Sequence, residues 1–83
     1  MYVAPKTKGV VLDAIQYGAF LVLPHVNGDK ELVFRPKEPI VNDFDHLVVR
    51  GQDTKNGEEI VLEFRWSPIG NHALPLTTHT DHQ

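Results

Sequence analysis

Glu59-Ile60-Val61-Leu62-Glu63-Phe64-Arg65-Trp66 alternates strictly. Ile60, Leu62, Phe64 and Trp66 fall on one side of an extended chain, and Glu59, Val61, Glu63 and Arg65 on the other. Successive side chains of a strand point to opposite faces, so this stretch predicts a half-buried antiparallel strand with its apolar side on a core. The same pattern precedes it at residues 30–35, where Leu32 and Phe34 face one way and Glu31, Val33 and Arg35 the other. Between them, residues 40–50 read as a further strand with a break near Asn42-Asp43, and Asp53-Thr54-Lys55-Asn56-Gly57 reads as a polar turn.

Upstream, residues 19–26 are apolar on both faces and stop at Asn27-Gly28, a pair that tolerates the positive φ of a hairpin turn. Pro36 and Pro39 are expected to end the strand that returns from this turn and to force an extended link. Downstream, Ser67-Pro68-Ile69-Gly70-Asn71 turns the chain, and residues 73–77 suit a short edge strand, where Pro75 is tolerated. Residues 77–83 carry no apolar anchor and are expected to fray, which leaves residues 1–76 as one domain.

Residues 10–17 behave differently. Val11, Ala14 and Ile15 recur at helical spacing, Thr7 is placed as an N-cap and Gly18 as a left-handed C′ residue. Val10 and Val11 suit a strand as well. The short helix is the reading taken.

The sum is mostly β, about five antiparallel strands with one short N-terminal helix. A sheet this small with one apolar face has no second sheet to pack on. Bending round on itself buries that face, giving a small barrel of Sm-like or SH3-like type with the helix across one open end.

Composition narrows the function. Eighty-three residues allow one domain with a thin core. The absence of cysteine excludes disulfides, thiolate metal sites and thiol catalysis, and favours a reducing compartment. Met-Tyr-Val-Ala-Pro lacks the basic and apolar regions of a signal peptide, and residues 19–23, the longest apolar run, are far too short to span a bilayer. A cytoplasmic protein without membrane attachment is the expectation. Eight basic and eleven acidic side chains, interleaved, give a net charge of −3 and argue against nucleic-acid binding driven by overall charge.

Leu12-Asp13-Ala14-Ile15, Phe20 through Gly28, Arg35-Pro36, Asp45-His46-Leu47-Val48-Val49 and Glu58 through Phe64 together resemble, in layout, the WYL domains. That family comprises Sm-like barrels of bacterial transcriptional regulators and defence proteins, and the resemblance implies sensing of nucleotides or nucleic acid. The family's Trp-Tyr-Leu signature would fall at Asp45-His46-Leu47, where the leucine alone agrees, and Arg65 is the one basic residue of its arginine-rich ending. In size, charge balance and strand order the chain is also similar to the Rof family, inhibitors of the Rho termination factor. That likeness implies a small bacterial or phage regulator that inhibits a nucleic-acid-processing machine by protein contact.

No catalytic set emerges. Asp43 with Asp45 and Glu58 with Glu59 read as solvated turn acids, since neither pair has the apolar flanks that split carboxylate pKa values. Ser67, the single serine, precedes Pro68 rather than opening a nucleophile elbow, and the six glycines are too scattered to cradle phosphate. His79-Thr80-Asp81-His82 has ligand-like spacing, but nothing near the terminus fixes its geometry. His25 and His46 read as isolated strand or rim residues, and His72 as a loop residue. Neither a metal nor a cofactor is expected.

Two binding constellations remain. Arg35, Arg50 and Arg65 sit at or near the ends of successive strands, on outward faces, and guanidinium forks suit phosphates and carboxylates. Pairing with Glu31 and Glu63 is their structural alternative. Phe34, Phe64 and Trp66 read as core, with Trp66 partly exposed at its strand end, whereas Phe44 among Asp43 and Asp45 reads as a surface aromatic. With Glu38, these three suit a protein partner. A non-enzymatic module that binds protein is the primary reading, and a WYL-like nucleotide or single-stranded nucleic-acid binder the alternative. The weak last strand leaves an edge open to pairing with a second copy.

Overall fold

The computed structural model describes residues 2–66 and the backbone of residues 77–80. A helix α1 (Lys8–Tyr17) is followed by β1 (Leu21–Pro24), β2 (Glu31–Asn42), β3 (His46–Asp53), β4 (Glu58–Arg65) and β5 (Thr77–Thr80). Every neighbouring pair is antiparallel, and the strands lie in sequence order in one open sheet. Among the described residues no helix is long and apolar enough to cross a membrane.

The alternating stretch behaves as its pattern dictates. Ile60, Leu62, Phe64 and Trp66 are buried, as are Leu32 and Phe34 on β2 and Leu47 and Val49 on β3. Leu21 and Leu23 of β1 complete the inner face, and Val11 and Ala14 of α1 close over it, with Leu12 and Ile15 packed at the margin. The helix ends as Gly18 predicts. Its φ of 67° is left-handed, and the Ala19 N–H reaches the Ala14 carbonyl at 2.9 Å, satisfying an otherwise orphan end group. Thr7 occupies the N-cap position without a side-chain cap bond.

The prolines of β2 act differently from expectation. Rather than ending the strand, Pro36 and Pro39 are carried within it, and the register slips by one residue after each. Lys37 and Ile40 are the unmatched residues. A proline cannot donate to the ladder, and a bulge is where a sheet accommodates the missing donor while bending the strand. Residues 40–42 therefore finish β2, the break at Asn42-Asp43 is a true hairpin turn, and β3 starts at His46. The Asn27-Gly28 hairpin also runs wider than a two-residue turn. The His25 N–H bonds to the Lys30 carbonyl at 2.9 Å, and Gly28 supplies a φ of 74° inside the loop.

Trp66 is another departure. Expected to be partly exposed at a strand end, it is 7% exposed and stacks on Phe64 with ring centroids 5.8 Å apart. The cause is the N-terminal segment, which crosses the molecule as a strap. Tyr2 pairs with His25, the Val3 N–H donates to the Pro24 carbonyl at 2.7 Å, and the Trp66 indole N–H donates to the Pro5 carbonyl at 2.7 Å. One short segment thus ties the outer edge of β1 to the end of β4. At the far edge, Thr77–Thr80 pairs with β4, so pairing reaches into the segment expected to fray. Residues 67–76 and 81–83 lie outside the described residues, and with them most of the expected 73–77 edge strand, Ser67, His72 and the Asp81-His82 half of the terminal histidine motif.

Candidate functional site

The outer face of the sheet carries all three arginines, one on each of β2, β3 and β4, but register keeps them apart. Arg35 lies opposite Gln52, Arg50 opposite Val61, and Arg65 opposite His46. From Gln52 to His46 along β3 is on the order of 20 Å. The guanidiniums form a diagonal, not a pocket. Arg50 Nη1 lies 2.8 Å from Glu38 Oε2, and Arg65 Nη2 lies 3.0 Å from Glu63 Oε2. Arg35 rests over the Phe20 ring, 5.5 Å from its centroid.

Register separates the acidic set as well. Glu38 belongs with Arg50 on the sheet, whereas Asp43, Phe44 and Asp45 form the turn between β2 and β3. This turn is where the structure concentrates fixed geometry around an exposed aromatic. Phe44 is 86% exposed, the most open of the large apolar side chains among the described residues. The backbone beneath it is held from three sides. The Asp43 N–H donates to the His46 carbonyl at 2.8 Å, closing the turn, and the Trp66 N–H donates to the Asp45 carbonyl at 3.0 Å from the end of β4. From α1, the Lys8 ammonium donates to Asn42 Oδ1 at 2.9 Å and to the Asp43 carbonyl at 2.6 Å.

Below the turn lies a polar network that the sequence did not disclose. His46 Nε2 sits 2.6 Å from Glu63 Oε2, which also accepts from Arg65, and His46 Nδ1 sits 3.9 Å from Asp43 Oδ2. His46 and Glu63 are largely buried, so their contact is shielded from solvent better than an ordinary surface pair. His46 is therefore not isolated. It links the turn to β4, and the clue was the polar turn at residues 53–57, because the hairpin it closes sets residue 46 beside residue 65. Lys8, as a tether from the helix, left no sequence signal.

With this geometry in view, the chain can be compared with known proteins. No family model, curated protein or solved structure matches it. Among the described residues no group of three or more histidine, aspartate or glutamate side chains is placed to share a metal ion. What the turn offers is a large apolar side chain, two flanking carboxylates and a backbone hydrogen-bonded to α1, β3 and β4.

Proposed function

We propose that this protein is a non-enzymatic binding module that acts by protein–protein contact, with Phe44 as its anchor. The observation carrying this reading is the contrast between an aromatic ring in solvent and a turn backbone held by α1, β3 and β4. Aromatic anchors dominate interface energetics, and fixing their backbone beforehand removes part of the entropy cost of binding. Asp43 and Asp45 flank the ring, so the fitting partner is an apolar pocket with a basic rim. The groove of a nucleic-acid-processing protein has that chemistry, in keeping with the likeness to Rof. The strap from β1 to Trp66 supports a further element of the reading, closure of the sheet into a small barrel-like shell around its core.

The test is affinity capture with the wild-type protein and Phe44→Ala side by side. A specific partner is expected on the wild type, weakened roughly thirtyfold or more by the substitution, the effect of losing about 2 kcal/mol at a hot spot. Retention is also expected to fall as salt rises. Phe44→Ala should leave the melting temperature almost unchanged, because the side chain touches solvent (within ~0.5 kcal/mol). Equal capture by both proteins would reject Phe44 as the anchor. The alternative nucleic-acid reading uses the diagonal Arg35, Arg50 and Arg65. It expects salt-dependent binding of single-stranded oligonucleotides that the triple arginine replacement abolishes.

A further inference from the structure

The strap leaves the β1 edge half-paired, for a reason written in two prolines. Val3 donates to the Pro24 carbonyl, so Pro24 turns its backbone away from β2 and toward the strap. Backbone groups alternate along an antiparallel strand, so Val22 also turns its N–H and C=O outward, while Leu21 and Leu23 bond toward β2. Carrying the Tyr2–His25 register forward sets Pro5 opposite Val22. Pro5 has no N–H to give, and its carbonyl accepts from the Trp66 indole instead. The strap diverges at that point. Among the described residues nothing pairs with the Val22 backbone.

What surrounds this gap is apolar. Val3, Pro5, Val10, Phe20 and Val22 line a groove between the strap, the helix and β1, and no carboxylate lines it. Phe20 is 55% and Val22 57% exposed. β1 is four residues long and ends in Pro24, which limits open pairing to Val22, and it has no lysine, no inward charge and no bulge. On the sheet, Arg35 lies across from Phe20 with its guanidinium against that ring and makes no ion pair among the described residues, while Glu31 lies opposite Pro24 at the other end of β1. The other two candidate arginines each hold a carboxylate of this chain.

We propose that the β1 edge at Val22 is a docking slot for an extended, apolar segment of a partner protein that carries a carboxylate. The segment adds as a short strand. Its backbone takes the Val22 N–H and C=O, its apolar side chains enter the groove that Phe20 and Val10 border, and its carboxylate meets Arg35. This site stands apart from the Phe44 turn and does not depend on it. The two surfaces also have opposite charge preferences.

Selection from a displayed library of random heptapeptides, on immobilised wild-type protein, tests the slot. Enriched sequences should alternate apolar residues and contain aspartate or glutamate. The most enriched peptide, synthesised, should shift the amide resonances of Val3 and residues 20–23. Val22→Lys should weaken it at least about tenfold, equivalent to ~1.4 kcal/mol. Arg35→Glu should remove the preference for acidic residues in a repeated selection. Both positions are exposed, so both variants should melt with the wild type, and that melting curve separates lost binding from lost folding. The proposal is wrong if nothing enriches on a folded protein, if basic peptides enrich, or if the shifts centre on Phe44. It is equally wrong if Val22→Lys binds the peptide as well as wild type. Concentration-dependent self-association abolished by Val22→Lys, with no peptide enriched, would replace the partner by a second copy of the chain.

Discussion

Gly51→Ala is expected to destabilise the protein by about 3 kcal/mol, at the upper end of what an extra methyl group costs in a packed core. A Cβ built at Gly51 would sit 2.3 Å from the Arg35 carbonyl oxygen and 2.6 Å from the Phe34 ring. Phe34 is fully buried, so its ring has nowhere to retreat, and the carbonyl belongs to the adjacent strand. Relief requires β2 and β3 to separate where Pro36 lies opposite Gly51 and the first bulge begins. The sign discriminates well. At a position with open space, alanine in place of glycine stabilises by restricting the unfolded chain, by ~0.4–1 kcal/mol. Thermal melting should therefore show a fall of roughly 12 °C or more for a domain of this size. Combining Gly51→Ala with Phe34→Leu should cost less than the two single losses added, because the smaller side chain vacates the space the methyl group needs. An unchanged or raised melting temperature for Gly51→Ala would show that the sheet does not pack in this way.

Trp66→Ala should cost about 3–5 kcal/mol, a large share of the ~5–15 kcal/mol that holds a typical domain folded. The loss has two parts. The indole stacks on Phe64 inside the core, and its N–H is the bond that holds the strap at Pro5. Trp66→Phe separates them, since it keeps an aromatic ring on Phe64 and deletes the donor. Its cost should be smaller, about 1 kcal/mol for a deleted donor whose acceptor is only part-buried. In that variant hydrogen exchange at the Val3 amide should quicken relative to β3 and β4, because the strap loses one of its three attachments. If Trp66→Phe leaves Val3 exchange untouched, the strap is held by its pairing with Pro24 and His25 alone.

How much of this was legible in the chain follows from where one principle acted alone. β4 was readable because alternation alone decides its burial, and Phe64 and Leu62 took the places that period two assigns them. The helix end was readable because Gly18 supplies a conformation few residues adopt cheaply. β2 was misread at Pro36 because a local rule, that proline leaves the ladder, competed with sheet pairing. Pairing prevailed through two bulges. Trp66 was misplaced because its cover comes from Pro5, a contact 61 residues away in sequence that no local pattern encodes.

The candidate sites show the same division. Phe44 between two aspartates was recognisable as a surface aromatic, but the bonds that hold its turn come from Lys8, Trp66 and the turn-closing N–H of Asp43. The arginines were correctly assigned to outward faces, and only register reveals that they form a diagonal. The Val22 slot was hidden more deeply. It exists because Pro5 and Pro24 fall where a strap would otherwise complete the β1 edge.

Phe44 can act as a preformed anchor only if its backbone is already fixed in the unbound protein. Backbone ¹⁵N relaxation across residues 42–46 of the isolated domain tests this directly. Order parameters of about 0.85, equal to those of β3 and β4, are the expected result, with Lys8→Ala lowering them at Asp43 and Phe44. Values below about 0.6 in the wild-type turn would mean that the aromatic rides on a flexible loop, and the case for a preformed anchor would fail.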